Sequence, residues 1–151
     1  MSKADQVERF SVSANDESET KTVVEARGFE FIVDEPAALG GTNSGPNPVE
    51  YLLGAWAGCL NVVVHKVSNE HEIDLDSVNI EIQGDLDPRK FLGLVDDVRA
   101  GYQEVQVQIE VESDADEDTL EALGAEIEDR CPVGDNIGNP TPTSVTIDLV
   151  N

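Results

Sequence analysis

A long apolar segment with a clear N-terminal signal constrains the fold of this chain most strongly. Asn47 suits the N-cap position of a helix, Pro48 suits its first turn, and Glu50 completes a capping box. The residues that follow are apolar on nearly every side of a helical wheel, and such a helix packs in the interior of a protein. The sequence therefore predicts a central helix over residues 48–68, with Cys59 buried at its middle.

Short segments of alternating apolar residues lie on both sides of this helix and predict strands. A turn at Arg27 separates the second strand from the third. The six predicted strands are residues 9–14, 21–26, 29–33, 78–83, 102–111 and 144–150. A second, amphipathic helix is predicted over residues 116–130, where Asp114 and Glu117 would form a capping box. Strands grouped in hairpins with helices inserted between them indicate an α+β fold, and 151 residues suit a single domain over residues 1–151.

The charge balance is extreme, with 32 acidic residues against 9 basic ones and a net charge of −23. The acids are spread along the whole chain rather than collected in a tail. An acidic shell of this kind repels nucleic acid and anionic membranes, so neither is expected as a partner. An acidic face for a protein partner is one interpretation. The sequence favours the other, adaptation to high salt, where ions screen the repulsion, and so predicts a protein from a halophile.

Several features predict a soluble cytoplasmic protein. The first thirty residues contain no apolar run with a basic start, as a signal peptide would have. No segment reaches the roughly 18 apolar residues of a membrane-spanning helix. Two cysteines, far apart along the chain, are too few for the disulfide framework of a secreted protein.

The two cysteines, Cys59 and Cys131, are the candidate chemical groups. Pro132 disfavours helical geometry at the residue before it, which predicts Cys131 at the end of the second helix. A thiol reacts as its thiolate, and burial raises the thiol pKa unless a cation offsets it. The best-placed cation is Arg27, at its turn, followed by Arg9. Free cysteines also fill space in protein cores, so the residues alone leave open a redox pair or two structural cysteines.

A metal site is not expected. The soft ligands are two cysteines and two histidines, and they lack the close paired spacing of structural zinc sites. His65, on the long helix, is expected at the surface rather than as a catalytic base. No bound cofactor is expected either, because the chain contains no glycine-rich phosphate-binding loop.

Two segments carry a resemblance to a known family. Residues 45–59, with the sequence GPNPVEYLLGAWAGC, resemble the core motif of the OsmC/Ohr superfamily, and residues 130–133, RCPV, resemble its second cysteine motif. Residues 84–88 and the pair Asn139-Pro140 also fit, so the resemblance spans nearly the whole chain. It implies an intertwined homodimer with the long helix at its centre and two sites at the subunit interface.

The resemblance also implies a reaction. In characterised members the first cysteine attacks an organic hydroperoxide and becomes a sulfenic acid, and the second condenses with it to form a disulfide. A dithiol such as a lipoyl group then reduces the disulfide, in keeping with general thiol chemistry. Cys59 would be the peroxidatic residue and Cys131 the resolving residue.

One position departs from the pattern of the peroxidase branches, where a glutamate directly after the Asn-Pro pair holds an arginine against the reactive sulfur. This chain has Val49 there and places Glu50 one residue, or about 100° of helix, further on. The pattern therefore resembles the broad OsmC-like branch. Glu50 is a candidate partner for Arg27 or a plain capping residue. A non-catalytic protein that binds a small apolar ligand or senses oxidants is the alternative function.

Overall fold

A computed structural model of the protein describes residues 6–150, which contain five strands and three α-helices. The elements are β1 Ser13–Asp16, β2 Thr22–Ala26, β3 Phe29–Val33, α1 Pro48–Glu70, β4 Ser77–Leu86, β5 Tyr102–Glu112, α2 Glu117–Arg130 and α3 Pro132–Gly138. All strand pairs are antiparallel, which confirms the α+β prediction. The chain divides into two compact units, one ending at Leu52 and one beginning at Leu53. The interpretation of residues 1–151 as one domain stays a prediction.

The first unit contains the meander β1-β2-β3. Its second turn consists of Arg27 and Gly28, both with positive φ, at 52° and 85°. Two consecutive positive φ values match the right-handed twist of the strands they join. The predicted turn therefore lies where the sequence indicates.

A buried carboxylate orders the segment that follows the meander. The two oxygens of Asp34 accept hydrogen bonds from the hydroxyl of Thr20 at 3.0 Å, from Glu35 N at 2.8 Å and from Ser44 N at 3.0 Å. Thr42 donates twice, through its N–H at 3.1 Å and its hydroxyl at 2.6 Å. These donors, led by the Thr42 hydroxyl, hold the pKa of Asp34 well below its usual range. The glycine-rich loop before α1 is thus fixed by a central anion.

The first turn of α1 is held in the same unit. The Tyr51 hydroxyl donates to the Ile32 carbonyl at 2.6 Å, and its ring lies 5.2 Å from that of Phe31. Gly45 lies so close to β3 that an added Cβ would approach the Ile32 oxygen to 2.5 Å. The start of α1 is therefore positioned by β3 through both a side chain and a close backbone approach.

The second unit has the core of the structure. The alternate residues Val78, Ile80 and Ile82 of β4 pack against it, as the two-residue period of a strand requires. The buried apolar side chains of this core come from one face of α1, from the inner stripe of α2 and from the end of α2. They are Leu60, Val63, Val64, Val67, Leu123, Ile127 and Cys131.

The long helix differs from its prediction in burial. α1 extends to Glu70, slightly beyond the predicted end, but only one of its faces is buried. Val62, on another face, is 64% exposed. Leu52, another apolar residue of α1, is 42% exposed. Burial of α1 on all sides stays a prediction that a second subunit would have to fulfil.

The first predicted strand is shifted along the chain, and the last predicted strand is absent from the described residues. β1 begins only at Ser13 and continues through Asp16, so Phe10 lies outside it and is 81% exposed. Residues 144–150 form no strand, and Ile147 is 96% exposed. An alternating pattern predicts one apolar face, but a strand also needs a neighbour to satisfy its backbone N–H and C=O groups. Among the described residues, no such neighbour pairs with residues 9–12 or with residues 144–150.

Two further details differ at the second helix. Asp116 rather than Asp114 caps α2, and its side chain accepts from Thr119 N at 2.9 Å. The short helix α3, which was not predicted, follows α2 after one residue. Within residues 6–150, no helix is both long enough and apolar enough to span a membrane.

Candidate functional site

The structure brings Cys59 and Cys131 into contact. Their sulfur atoms lie 3.3 Å apart, and both residues are free thiols. Cys131 is 1% exposed, whereas Cys59 is only half-buried, which corrects the predicted full burial of Cys59. A disulfide has a sulfur–sulfur distance of about 2.05 Å, so the two thiols lie close enough for an oxidant that removes two electrons and two protons to join them.

Local sequence places Cys131 at a junction between two helices. Arg130 is the last residue of α2 and Pro132 the first residue of α3, and Cys131 between them has φ −83° and ψ 109°. Proline disfavours helical geometry at the residue before it, which explains this break. The Cys131 sulfur then accepts the hydrogen bond of Gly134 N at 3.4 Å as the N-cap of α3. The helix break therefore fixes the orientation of the thiol.

The surroundings of Cys59 act on its charge in opposite directions. Burial raises the pKa of the Cys59 thiol, the N–H of Val133 lowers it, and the neighbouring Cys131 raises it again. The net effect is a raised pKa. Within the single chain the neutral thiol is favoured, so an active thiolate requires a further cation or donor.

An indole lies beside the sulfur pair. Trp56 precedes Cys59 by three residues on α1, and its buried Nε1 has no hydrogen-bond acceptor among the described residues. A Cβ added at Gly134 would lie 2.9 Å from Trp56 Nε1 and 3.4 Å from Cys131 Sγ. The indole N–H therefore packs closely against Gly134 beside Cys131, and a larger residue at position 134 would collide with it.

From the sequence, Trp56 was identified only as one of the apolar residues of the predicted helix. The available signal was its position: residues three apart on a helix share a face, so this single tryptophan lies on the same side of α1 as Cys59. The backbone donors Val133 and Gly134 had a signal as well, because a Cys-Pro pair after a helix suits the start of another helix.

A cluster of ion pairs fixes the helix junction. Arg130 Nη1 donates to Glu70 Oε2 at 2.6 Å and to Glu126 Oε1 at 2.7 Å, and Glu126 Oε2 lies 2.7 Å from His71 Nε2. The bond from Arg130 lowers the pKa of Glu70 to about 2. The arginine next to Cys131 is therefore engaged with two carboxylates, and it ties the end of α1 to α2.

The other predicted site residues lie in the first unit. The Arg27 guanidinium lies 5.5 Å from the centre of the Phe29 ring. Glu50 Oε2 accepts from Asn47 N at 2.8 Å, and Glu50 N donates to Asn47 Oδ1 at 2.9 Å, which is the predicted capping box. The roles of Arg27 and Glu50 towards the thiols stay predictions.

The remaining candidate ligands are the histidines and the side chains that could hold a metal ion. His65 is exposed on α1, as expected. Among residues 6–150, no group of three or more His, Cys, Asp or Glu side chains is placed to hold a metal ion. The site is thus described by the two thiols and the donors around them.

The fold and the site together define the class: an α+β protein with a pair of thiols in contact at a helix junction. The sequence matches the OsmC-like protein family over residues 41–146, and the chain belongs to that family. The family resemblance noted in the sequence is thereby confirmed. A search of curated proteins gave no significant match.

Solved structures with this fold come from several bacteria. An OsmC-like protein of Mycoplasma pneumoniae superposes with a TM-score of 0.76 at 17% identity, covering 87% of this chain and 88% of that chain. An organic hydroperoxide resistance protein of Legionella pneumophila gives 0.63 at 20% identity, covering 87% and 90%. The organic hydroperoxide resistance protein OhrB of Bacillus subtilis gives 0.56 at 19% identity, covering 85% and 89%. Identities this low establish a shared fold and nothing more.

Proposed function

We propose that this protein is a cysteine-based peroxidase that reduces organic hydroperoxides in defence against oxidative stress. The observation that carries the proposal is the 3.3 Å contact between the sulfur atoms of Cys59 and Cys131. The names of the Legionella pneumophila and Bacillus subtilis proteins, both organic hydroperoxide resistance proteins, support the same substrate class.

The proposed reaction has two oxidative steps. The Cys59 thiolate attacks one peroxide oxygen, the O–O bond breaks, and the second oxygen takes a proton and leaves as an alcohol. The product is a Cys59 sulfenic acid. The Cys131 sulfur then attacks the Cys59 sulfur, a disulfide forms, and the oxygen leaves as water. An external dithiol supplies two electrons and two protons to restore both thiols.

The exposures of the two sulfurs suit this order of events. Cys59 is half-buried and can meet a substrate, whereas Cys131 is 1% exposed and contacts Cys59. Because the resolving sulfur already lies against its target, disulfide formation competes well with further oxidation of the sulfenic acid. Cys59 is therefore assigned the peroxidatic role and Cys131 the resolving role.

Activation of Cys59 requires a positive charge that offsets its raised pKa. Arg27 supplies this charge in the proposal, with Glu50 as its carboxylate partner, in a homodimer whose sites lie at the subunit interface. The exposed apolar side chains support such a dimer, because soluble proteins rarely leave large apolar surfaces uncovered. They include Phe10, Val12, Val62, Val145, Ile147 and Leu149.

Steady-state turnover tests the proposal. Purified protein should consume cumene hydroperoxide at the expense of a dithiol such as dihydrolipoamide, since both substrates match the proposed steps. The Cys131→Ser protein serves as the control, because it keeps the attacking thiol but cannot form the intrachain disulfide. Absence of turnover in the unaltered protein would count against a peroxidase.

The raised pKa of Cys59 favours a second candidate, a non-catalytic protein of the broad OsmC-like branch that binds a small apolar ligand or senses oxidants. Titration of thiolate absorbance against pH separates the two. An apparent pKa for Cys59 well below the usual value of about 8.5 supports the peroxidase, and a value near or above it supports the second candidate.

The acidic composition leads us to propose that the protein comes from a halophile. With a net charge of −23, self-repulsion destabilises the folded state at low ionic strength, and about 1 M salt reduces the screening length to about 3 Å. The melting temperature should therefore rise between about 0.1 M and about 3 M KCl. Sucrose, which does not screen charge, is the control and should give a smaller rise. A melting temperature independent of KCl would contradict this interpretation.

A further inference from the structure

We infer that the ion pair between Arg130 and Glu70 positions the resolving thiol: it holds Cys131 against Cys59 and so favours the disulfide over the two free thiols. This inference rests on that part of the proposed function in which the two cysteines interconvert between thiols and disulfide. It adds Arg130 and Glu70 to the site as positioning residues, because they act through Cys131.

The first support is the place of Cys131 in the chain. Cys131 lies between α2 and α3 and has φ −83° and ψ 109°, outside helical geometry. The position of its sulfur therefore depends on how the end of α2 lies against α1, which carries Cys59. The two sulfurs meet at 3.3 Å, and no bond joins them in the free thiols. A further contact that fixes the end of α2 on α1 fixes the sulfur contact as well.

The second support is the geometry of the ion pair. Arg130 Nη1 donates to Glu70 Oε2 at 2.6 Å, and Arg130 Nη2 donates to Glu70 Oε1 at 3.2 Å. Two parallel bonds between a guanidinium and a carboxylate restrict the orientation of both groups as well as their distance. The pair can therefore hold the end of α2 in one arrangement on α1.

The third support is that each partner of the pair is held on its own helix. Arg130 Nη1 also donates to Glu126 Oε1 at 2.7 Å within α2, and Lys66 Nζ lies 2.9 Å from Glu70 Oε1 within α1. Both are contacts between residues four positions apart, which face each other on a helix. An ion pair between long side chains usually loses much of its effect to side-chain entropy. Here that cost is reduced, because both side chains are already held in place.

The fourth support is the alignment of the two contacts. Cys59 and Glu70 are eleven residues apart on α1, which is about three turns, so they lie on the same face about 16 Å apart along the axis. The end of α2 meets this face at both places, at Cys59 through Cys131 and at Glu70 through Arg130. Two separated contacts prevent the end of α2 from swinging about either one.

Equilibrium with glutathione tests the inference without hydroperoxide. One molecule of glutathione disulfide oxidises the two protein thiols to a disulfide and is itself reduced to two glutathione thiols. The wild-type protein, Glu70→Ala, Arg130→Ala and the double variant are each equilibrated with mixtures of reduced and oxidised glutathione. The remaining thiols are alkylated, and the oxidised fraction is read from the mass of the protein. Melting temperatures are measured for the reduced and the oxidised form of each protein.

We expect Glu70→Ala and Arg130→Ala each to lower the equilibrium constant for the disulfide by about fivefold, the upper end for a partly exposed ion pair. This change raises the reduction potential by about 20 mV. The double variant should show no further decrease, because both substitutions remove the same contact. Arg130→Lys keeps the charge without the two parallel bonds and should recover part of the loss. Arg89→Ala, the matched control, removes the arginine of another ion pair, with Asp87, and should leave the constant unchanged.

Several outcomes would overturn the inference. An unchanged constant, with lower melting temperatures of both redox forms, would show that the pair only stabilises the fold. Shifts in opposite directions for Glu70→Ala and Arg130→Ala would show that the two charges act on the thiolates and not through position. A wild-type protein that forms no Cys59–Cys131 disulfide in any mixture would reject the redox pair and this inference together. The expected shifts in a protein that does not consume cumene hydroperoxide would support the inference and reject the peroxidase function alone.

Discussion

The Cys59→Ser protein is expected to lose hydroperoxide reduction by about a thousand-fold or more, because a serine hydroxyl has no accessible anion to replace the thiolate nucleophile. Peroxide consumption with dihydrolipoamide measures this loss. The substitution replaces a half-buried sulfur by a slightly smaller oxygen, so the melting temperature should change little.

The Cys131→Ser protein is the matched comparison for this prediction. It loses a buried thiol of the same kind, yet the first step should persist, and dimedone should trap a sulfenic acid on Cys59 after addition of hydroperoxide. If Cys59→Ser retained turnover, or if Cys131→Ser trapped no sulfenic acid, the assigned order of the two cysteines would be wrong.

Replacement of Asp34 by asparagine is expected to have the largest effect on stability. The amide turns one acceptor oxygen into a donor, so it opposes some of the N–H and hydroxyl groups that Thr20, Thr42 and Ser44 direct at the carboxylate. Buried donors then lose their partners, and we expect the melting temperature to fall by roughly 10 °C. Asp16→Asn makes the same change of charge at an exposed site and should have little effect.

The pH dependence of this effect has a definite sign. The pKa of Asp34 is depressed in the folded protein, so the carboxylate stabilises the fold above its unfolded pKa of about 4. That contribution is lost as the pH falls from there towards the folded pKa. Denaturant midpoints between about pH 2 and about pH 7 should fall less steeply in acid for Asp34→Asn than for the unaltered protein. Parallel curves would contradict the role of the buried charge.

The parts of the structure that depend on local interactions were predictable from the sequence. The capping box of Asn47 and Glu50 and the break before Pro132 each involve residues within four positions of one another, and both are present. The meander could be predicted for the same reason, since its turn at Arg27 lies between adjacent strands.

Features that join remote segments were not predictable. The donors around Asp34 come from residues 14 positions before it and up to 10 positions after it, and no periodicity reports such a meeting. The alternation over residues 144–150 predicted a strand, but pattern alone cannot supply a pairing partner, and the structure shows none among residues 6–150. The contact between Cys59 and Cys131 was implied by family resemblance, while their spacing along the chain left it open.

One hydroperoxide molecule is expected to convert the two thiols of a single chain into a disulfide. Reduced protein should be mixed with one equivalent of cumene hydroperoxide, blocked with iodoacetamide, digested without reductant and analysed by mass spectrometry. We expect both thiols to disappear together and a peptide pair joined through Cys59 and Cys131 to appear. Recovery of both cysteines in alkylated form, or cross-links only between two copies of Cys59, would contradict it.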